Sequence, residues 1–249
     1  MARVPGELRV PEPRWPLDAG APLLASVPHP AEEGGANVPR AAAPLAPRLD
    51  AAAKRALDLV GALVLLILLA PLLLLIALAV RLDSPGPALF RQTRAGRHGR
   101  PFQILKFRSM YVDADERVHA AYMRERIRHG LPLLKLQHDP RITRVGRWLR
   151  ATSLDELPQL INVLRGEMSL VGPRPALPYE VELYDDRVRR RLEVLPGITG
   201  LAQVCSRGRG TLHEYTRYDL EYVERRSFWL DLWILARTIP AVLRRDGAG

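Results

Sequence analysis

Two adjacent carboxylates lie in a part of the chain that is rich in arginine. Asp155 and Glu156 stand between Arg150 and Arg165, in the stretch RWLRATSLDELPQLINVLRG. Carboxylates are ligands for Mg²⁺, and arginine guanidinium groups bind phosphate oxygens through paired hydrogen bonds. This combination is typical of a site that holds phosphate groups. A structural role also fits, because Ser153 and Glu156 have the spacing of a helix capping box.

A proline three residues after Asp155 bears on the choice between these roles. If Ser153 were the N-cap, Pro158 would fall beyond the first helical turn, where proline costs about 3 kcal/mol. The sequence therefore favours a helix over Glu156–Leu164 that leaves both acids exposed near its N-terminus. Backbone N–H groups at such an end bind anions. The pattern alone leaves capping and phosphate chemistry open.

Further cations could hold a diphosphate beside these acids. Lys106 and Arg108 lie in the segment ILKFRSM, where strand alternation places both on one face. Arg174 stands between two prolines in GPRP, so its backbone is restricted. Each of these residues alone is also typical of a solvated surface charge.

Several other kinds of chemistry find no support in the sequence. The six histidines have no metal-ligand spacing, and the single cysteine, Cys205, excludes an intramolecular disulfide and a cysteine-based zinc site. The patterns GxxxxGK[ST], GxGxxG, HExxH and GxSxG do not occur. A formal net charge of +10 instead indicates an anionic partner, such as nucleic acid, anionic lipid or a phosphorylated substrate.

The longest apolar run of the chain predicts a membrane helix. Residues 59–80 carry no charged or polar side chain, and at about 1.5 Å per residue they cover the roughly 30 Å hydrocarbon core of a bilayer. Pro71 removes one backbone N–H near the middle, which predicts a kink. Lys54 and Arg55 precede the run and Arg81 follows it, so the flanking charges do not orient it. A single crossing and a re-entrant hairpin both remain open.

The rest of the chain divides into a tail and a mixed domain. Residues 1–50 hold ten of the 22 prolines and no periodic apolar pattern, which predicts a disordered tail. Ala88–Arg94 and Phe102–Met110 are expected to form a β-hairpin, because the stretch AGRHGRP joins them. Further helices are expected over Asp113–His129, Tyr179–Leu195 and His213–Glu224. Phe228–Leu243 has the pattern of an interfacial amphipathic helix or, equally, of a core helix.

Six sequence motifs follow one another in a characteristic order. They are KRALDL, SPGPALFRQTRAGRHGRPFQILKFRSM, DPRITRVGRWLR, TSLDELPQLINVLRGEMSLVGPRP, PGITGLAQV and YDLEYVERRSFWLDLWILART. This series resembles the bacterial sugar transferase family, the monotopic phosphoglycosyl transferases. The resemblance extends from Lys54 to about Thr238, about three quarters of the chain.

The resemblance implies a fold, an activity and a site. Family members have an α/β fold that is mainly helical, with a small β-hairpin, a kinked re-entrant membrane helix and interfacial amphipathic helices. They transfer a sugar-1-phosphate from a UDP-sugar to undecaprenyl phosphate and release UMP, as the initiating step of a cell-surface polysaccharide or glycoconjugate pathway. Their catalytic dyad maps to Asp155 and Glu156, which would also bind Mg²⁺. One departure is Ala70, where members often carry serine before the mid-helix proline.

On this basis we expect a transferase of the bacterial inner membrane with three parts. Residues 1–50 would be a disordered Pro/Ala-rich tail, 51–83 the membrane helix, and 84–249 a catalytic domain on the cytoplasmic face. Asp155 would attack the sugar-bearing phosphorus and form a phosphosugar-aspartate intermediate. Four cations are the candidates for phosphate contacts: Lys106, Arg108, Arg150 and Arg174.

The expected partners are the UDP-sugar, undecaprenyl phosphate and inner-membrane lipids, with no nucleic acid; a homodimer is left open. Two alternatives come from other classes of protein. A membrane-anchored nucleic-acid-binding protein would explain the arginine content, but the chain has no RNP-like aromatics or helix-turn-helix signature. A catalytically silent membrane scaffold would have no need of the acid pair. Magnesium-dependent UMP release separates the three hypotheses.

Overall fold

A computed structural model describes residues 47–112, 139–206 and 211–243, together with the single positions Tyr122, Glu125 and His129. The helices are α1 (Pro47–Asp83), α2 (Arg144–Thr152), α3 (Gln159–Leu164), α4 (Pro178–Val181), α5 (Asp186–Arg189), α6 (Leu201–Ser206), α7 (Leu212–Arg225) and α8 (Phe228–Leu243). The strands are β1 (Leu89–Ala95), β2 (Pro101–Phe107), β3 (Ser169–Val171) and β4 (Gly197–Thr199). Short 3₁₀ turns lie at Arg97–Gly99, Leu154–Glu156 and Arg190–Glu193. The described chain is mainly helical with small sheets, which confirms that part of the expected fold class.

Helix α1 contains the whole apolar run. It extends past both ends of residues 59–80 and continues through Pro71. Of the described helices, it is the one whose length and composition suit a membrane crossing. It begins at Pro47, so the last four residues assigned to the tail form its first turn, and the rest of the tail lies outside the described residues. In that turn Asp50 accepts a hydrogen bond of 3.0 Å from the backbone N–H of Phe228.

The two faces of α1 meet different surroundings. Ala62, Ile76 and Val80 are at most 3% exposed, because they pack into the protein core. The opposite face is apolar but open, with exposed fractions between 51% and 77% at Val60, Leu63, Ile67, Leu68, Leu74, Leu75, Leu78 and Leu82. An apolar surface of this extent is typical of a contact with a membrane or another molecule. The structure is therefore consistent with membrane association through this face.

A buried ionic network, which we call the anchor network, fixes the first part of α1 to the core. Lys54 Nζ lies 2.9 Å from Asp231 Oδ2 and 3.3 Å from Asp58 Oδ1. Lys54 also donates to the Val171 carbonyl oxygen at 3.2 Å. The Tyr222 hydroxyl donates to Asp231 at 2.8 Å. These contacts join α1 to β3, α7 and α8. They show that the motifs KRALDL and YDLEYVERRSFWLD bind each other, because the first supplies Lys54 and the second supplies Tyr222 and Asp231.

The far end of α1 attaches to the same domain. Arg108 is 5% exposed, and its guanidinium donates to carbonyl oxygens at the C-terminus of α1. The acceptors are the carbonyl oxygens of Val80, Ser84 and Pro85. Asp83 Oδ2 accepts a hydrogen bond of 2.9 Å from the backbone N–H of Val145, at the start of α2. Both ends of the apolar helix are therefore held by one domain.

Strands β1 and β2 form the expected antiparallel hairpin. Their register pairs Leu89 with Phe107 at the open end, and the 3₁₀ turn at Arg97–Gly99 connects them. Strand β2 ends at Phe107 rather than at the predicted Met110. The reason is that Met110 pairs with Ile142 in an isolated bridge outside the hairpin.

A second sheet, which the sequence analysis did not predict, pairs β3 with β4 in parallel. Two glycines allow the backbones around it to touch. A Cβ atom at Gly172 would lie 2.4 Å from the Leu195 carbonyl oxygen, and one at Gly197 would lie 2.1 Å from the Gly172 nitrogen. Any larger residue at either position would force these segments apart. The contact fixes the start of the GPRP segment that bears Arg174.

The main core lies where α1, α3, β3, α7 and α8 meet. Val163, Met168 and Ile234 are completely buried within it. Helix α8 carries Ile234 on its core face and the 54% exposed Trp229 on another face. The sequence left an interfacial and a core role open for this helix, and the structure shows that one face belongs to the core.

The other predicted helices have mixed outcomes. Helix α7 confirms the prediction over His213–Glu224 within one residue at each end. The predicted helix Tyr179–Leu195 is broken into α4, α5 and a 3₁₀ turn, because Asp185 accepts a hydrogen bond of 2.7 Å from Val188 N and starts a new helix. The predicted helix Asp113–His129 lies almost entirely outside the described residues.

Candidate active site

The acid pair lies on a short turn between α2 and α3. Helix α2 ends at Ser153, whose φ of 57° and ψ of 15° place it in the left-handed region. The 3₁₀ turn that follows carries both Asp155 and Glu156, each half-buried. A non-glycine residue in this conformation costs about 1–3 kcal/mol, and such residues are concentrated at functional sites. The acids therefore stand directly after a strained backbone position.

The capping box that the sequence offered as an alternative does not form. Ser153 makes no side-chain hydrogen bond to the turn after it, and its backbone N–H instead donates to the Leu149 carbonyl at the end of α2. Helix α3 begins only at Gln159, after Pro158. A proline at a helix start breaks no helical hydrogen bond, because the N–H it lacks would have no partner there. The predicted role of Glu156 in a capping box with Ser153 is thus wrong.

Lys106 reaches the acid pair from the hairpin. Its Nζ lies 3.0 Å from Glu156 Oε1, while Gln159 Nε2 donates to Glu156 Oε2 at 3.2 Å. The side chains of Lys106 and Glu156 are 23% and 39% exposed. Solvent-accessible ion pairs add little to stability, typically about 0–1 kcal/mol. The pair is therefore better suited to holding Glu156 in place and presenting positive charge than to stabilising the fold.

Arg174 lies on the GPRP segment with a buried acid behind it. Its Nη2 lies 3.0 Å from Glu180 Oε1, and the side chains are 37% and 4% exposed. Glu180 also accepts a hydrogen bond of 2.9 Å from the backbone N–H of Leu177. The Arg174 charge holds the pKa of Glu180 below its usual range even though burial acts in the opposite direction. Glu180 thus orients a guanidinium that is partly exposed to solvent.

Arg94 is a cation that the sequence analysis did not select. Its guanidinium donates to the Pro175 carbonyl at 3.1 Å and to Gln92 Oε1 at 2.7 Å. Burial, reinforced by the neighbouring charge of Arg174, lowers the pKa of Arg94 to about 10, against the attraction of Glu180 and Glu156. Arg94 therefore lies within electrostatic range of both Arg174 and Glu156. The hairpin prediction placed it on β1, but nothing in the local pattern indicated its contact with the distant GPRP segment.

A second buried pair supports the Arg174 backbone. Arg191 Nη2 donates to the Arg174 carbonyl oxygen at 3.1 Å, and the same guanidinium forms an ion pair with Asp219. Both side chains are at most 5% exposed. The Tyr184 hydroxyl accepts a hydrogen bond from Arg191 Nη1. These residues lie behind the site rather than in it, and they restrict where Arg174 can move.

The structure buries one of the expected phosphate-binding cations, Arg108, against another part of the fold, while the role of Arg150 stays a prediction. The Arg108 guanidinium is buried against the carbonyl oxygens that end α1, so its role is to cap that helix. The expectation that strand alternation would pair Arg108 with Lys106 fails because β2 ends before Arg108. Arg150 lies on the last turn of α2 and acts electrostatically on Asp139, whose pKa is held low mainly by its hydrogen bond with Arg141.

The donor set at the acid pair suits a magnesium ion in one particular way. Within the described residues, no three His, Cys, Asp or Glu side chains converge as a group that could hold a metal alone. Mg²⁺, however, commonly binds through one or two carboxylates together with substrate phosphates. Asp155 and Glu156 fit that arrangement, since both are partly exposed and adjacent to cations that can hold a diphosphate.

Comparison with known proteins gives one family and several similar sequences. A sequence profile of the family described as bacterial sugar transferase matches residues 49–245. The chain is 48% identical over 204 residues to a UDP-glucose:undecaprenyl-phosphate glucose-1-phosphate transferase of Caulobacter vibrioides, covering 78% of this chain and 71% of that protein. It is 42% identical over 199 residues to the exopolysaccharide production protein ExoY of Rhizobium meliloti, covering 79% and 88%.

Another relative is longer than this chain. An undecaprenyl-phosphate galactose phosphotransferase of Salmonella typhimurium is 44% identical over 206 residues, which are 82% of this chain but 43% of that protein. The chain thus spans less than half the length of this relative. The relatives' names differ in the sugar and agree on undecaprenyl phosphate where they name an acceptor.

Proposed function

The chain belongs to the bacterial sugar transferase family, and we propose that it transfers a sugar-1-phosphate from a UDP-sugar to undecaprenyl phosphate with release of UMP. The observation that carries this proposal is the acid pair. Asp155 and Glu156 stand on a strained, partly exposed turn, with Lys106 3.0 Å from Glu156 and with Arg94 within electrostatic range of Glu156. The named activities of the relatives support the same reaction class.

The reaction proceeds by two displacements at one phosphorus atom. In the first, an Asp155 carboxylate oxygen forms a bond to the sugar-bearing phosphorus, and the bond from that phosphorus to the bridging oxygen of UMP breaks. UMP leaves with the electron pair, and the phosphosugar stays on Asp155 as an acyl phosphate. In the second, an oxygen of undecaprenyl phosphate attacks the same phosphorus and the Asp155 carboxylate leaves, which regenerates the enzyme.

The cations around the acids hold the diphosphate during these steps. Hydrogen bonds from charged donors to phosphate oxygens are short and roughly twice as strong as neutral ones. Lys106 acts from the hairpin side, and Arg174 acts from the GPRP side with Glu180 and Arg191 fixing its position. Arg94 adds charge between them. Glu156, held by Lys106 and Gln159, is not the nucleophile and would help to hold a metal ion that neutralises charge on the leaving UMP.

Mg²⁺ is the proposed cofactor, and Asp155 and Glu156 are the residues that hold it together with substrate phosphates. A bound divalent cation neutralises the diphosphate and stabilises the charge that develops on a leaving phosphate. Lys106 supplies positive charge to the same acid pair from the protein side.

The apolar helix α1 enters the inner membrane from the cytoplasmic face and returns to it. Support comes from its two attachments, because Lys54 near its start and Val80 near its end are both bound to the same domain. The residues around Pro71 are among the more exposed, with Ile67 at 64% and Leu68 at 70%. A re-entrant α1 with both ends on the cytoplasmic face satisfies the first observation, whereas a straight crossing would carry one attachment to the opposite side.

Topology is tested with two exposed positions that flank the apolar run. In a Cys205→Ser background, Ala52→Cys and Pro87→Cys place single thiols before and after it. An impermeant maleimide added to spheroplasts should label neither, and both should be labelled after lysis. Labelling of one thiol from outside establishes a single crossing and refutes the hairpin.

The product, a lipid-linked sugar, is the starting point of a cell-surface polysaccharide or glycoconjugate, and the name of the Rhizobium relative supports an exopolysaccharide. Purified protein in lipid nanodiscs, supplied with Mg²⁺ and undecaprenyl phosphate, should release UMP from one or more members of a panel of UDP-sugars. Omission of the lipid should limit release to at most one equivalent per enzyme. Absence of release with every donor would refute the proposed activity and favour the scaffold or nucleic-acid hypothesis.

A further inference from the structure

An apolar groove of about 450 Å³ lies between the second half of α1 and the first two turns of α2. Its volume falls within the roughly 300–1,000 Å³ of small-molecule sites. The lining residues are Leu72, Leu75, Ile76, Ala79, Arg144, Val145 and Trp148. Apart from the single charge of Arg144, these side chains offer an occupant mainly hydrocarbon and one indole ring.

The groove is continuous with the open apolar face of α1. Leu75 lines it and is 65% exposed, and its neighbours Leu74 and Leu78 are 72% and 55% exposed on the same helix. Trp148 stands at the rim with 49% exposure. Tryptophan is enriched at membrane–water interfaces, where an apolar ring and a polar N–H are both accommodated. A hydrocarbon chain in the lipid could therefore enter the groove from the side without crossing water.

The groove is also connected to the acid pair. Its wall residues Ile76 and Val145 belong to the same apolar cluster as Leu154, the residue directly before Asp155. Along α2, Trp148 lies one helical turn from Thr152, or about 6 Å at 1.5 Å rise per residue. The turn that presents the carboxylates therefore begins with a residue of the same apolar cluster as the groove wall.

Charge along α2 matches an anionic head group. The helix RVGRWLRAT contains three arginines and no acid, and Arg144 and Arg147 are exposed while Arg150 is half-buried. Arg144 at the groove and the exposed Arg147 on the same helix therefore offer positive charge to a phosphate monoester whose chain lies in the groove. An uncharged lipid gains nothing from this arrangement.

We infer that this groove binds the first isoprene units of the polyprenyl phosphate acceptor and so directs its phosphate to the acid pair. The inference rests on the proposed function, because it assigns the acceptor of that reaction to a place in the fold. Fixing the chain beside the turn converts an encounter in the bilayer into a positioned attack on the phosphosugar. Ordinary phospholipids, which lack the reactive monoester, are competitors for the groove and not substrates.

A filled groove tests this inference. Ala79→Phe inserts a ring into the groove, and Leu78→Phe adds a ring at the neighbouring position on the open face as a matched control. Ala79→Phe should raise KM for undecaprenyl phosphate about tenfold or more, while KM for the UDP-sugar and the initial burst of UMP stay as in the wild type. Leu78→Phe should leave all three unchanged. Trp148→Ala, which alters the opposite wall, should raise the same acceptor KM.

Two outcomes of this experiment would overturn the inference. One is equal kinetics for Ala79→Phe and Leu78→Phe, provided that both proteins are folded and bound to membranes. The other is a loss of the UMP burst in Ala79→Phe and Trp148→Ala, which would place the groove on the donor side of the reaction.

A binding measurement separates this inference from the proposed activity. A photoreactive polyprenyl phosphate should attach to peptides containing Leu75 or Trp148 in the wild type, and undecaprenyl phosphate should compete while phosphatidylglycerol should not. Attachment with this selectivity in a protein that releases no UMP would keep the groove and refute the activity. Equal competition by both lipids would show a site for lipid chains in general and refute the groove as an acceptor site.

Discussion

In the described part of the chain, two lysines pair with acidic side chains, and the two places differ in what surrounds them. In the anchor network, Lys54 lies between Asp58 and Asp231, whose side chains are each 2% exposed. At the candidate site, Lys106 lies against Glu156, whose side chain is 39% exposed and next to Asp155. Lysine and acidic side chains thus form a buried ionic contact in one region and a partly exposed, charged surface in the other.

The difference lies in how deeply the carboxylates are buried, since the side chains of Asp58 and Asp231 are each 2% exposed and that of Glu156 is 39% exposed. Asp58 accepts hydrogen bonds from Ser169 Oγ at 3.0 Å and from the Leu170 N–H at 2.9 Å, in addition to Lys54. Asp231 accepts from the buried Tyr222 hydroxyl at 2.8 Å. Burial raises the pKa of Asp231, against the lowering effect of the Lys54 charge. Such groups hold a fold together and have no surface left for a substrate.

The largest expected effect comes from neutralising Asp155, the acid proposed as the nucleophile. Asp155→Asn should lower turnover by at least about a thousandfold, because an amide cannot form the acyl phosphate. Its melting temperature should match that of the wild type, since asparagine is nearly the same size and the turn is partly exposed. UMP release measures the first effect and thermal unfolding the second.

The intermediate gives an independent reading of the same variant. Incubation with a radiolabelled UDP-sugar should label the wild-type protein, and added undecaprenyl phosphate should move the label into lipid. Asp155→Asn should not be labelled, whereas a folded Asp231→Asn protein should be. Labelling of Asp155→Asn would show that another residue is the nucleophile.

The second effect concerns the two lysines. Lys54→Met leaves Asp58 and Asp231 buried without their cation, and breaking a buried pair in this way costs about 3–5 kcal/mol. Lys106→Met breaks a solvent-accessible pair, which is worth about 0–1 kcal/mol. Thermal or denaturant unfolding in the same detergent should therefore separate the variants clearly. Equal destabilisation by both would remove the distinction between the closed and the open region.

The parts of this comparison that the sequence could supply are local ones. The acid pair, the hairpin and the apolar run follow from residue types within short windows, as does the kind of chemistry that carboxylates among cations allow. Strand alternation placed Arg108 beside Lys106, but it could not show that the end of α1 covers Arg108. Position on a face is a local property, whereas burial depends on what packs against that face.

The contacts that complete the site join segments that are distant in sequence. Arg94 reaches the GPRP segment from the hairpin, and Lys54 reaches Asp231 across most of the chain. The parallel pairing of β3 with β4 depends on Gly172 and Gly197, whose small size signals close approach without naming the partner. A single sequence carries no information on which distant segments pair, so these contacts are visible only in the structure.

The third effect separates Lys106 and Arg174 from Arg108, which the sequence had grouped with them as phosphate-binding cations. Lys106→Ala and Arg174→Ala each remove a charge-assisted hydrogen bond worth about 1.5–3 kcal/mol, so kcat/KM should fall by roughly one to two decades. Membrane association should stay close to the wild type in both variants, and so should the unfolding temperature of Lys106→Ala. Arg174→Ala should also lower the unfolding temperature, because it leaves Glu180 buried without its ion-pair partner. Arg108→Ala is the matched control, because it should lower stability while the folded fraction keeps its kcat/KM. A strong kinetic defect in folded Arg108→Ala would return that residue to the site.

The last test asks whether burial also controls the reactivity of a thiol outside the two regions compared above. Burial, and then the negative charge of Glu221, raise the pKa of Cys205 to about 11. With that pKa, only about one thiol in a thousand is ionised at pH 8, compared with about a quarter at an ordinary pKa near 8.5, and the thiolate is the form that reacts.

Iodoacetamide should therefore modify Cys205 in the folded protein roughly a hundredfold more slowly than in guanidinium chloride, as followed by mass spectrometry. The folded-state rate should rise about tenfold per pH unit between pH 8 and 10, because each unit multiplies the thiolate fraction by ten below the pKa. A folded-state rate equal to the unfolded one at pH 8 would mean that Cys205 is open to solvent, and the distinction between closed and open surroundings would not extend to this part of the fold.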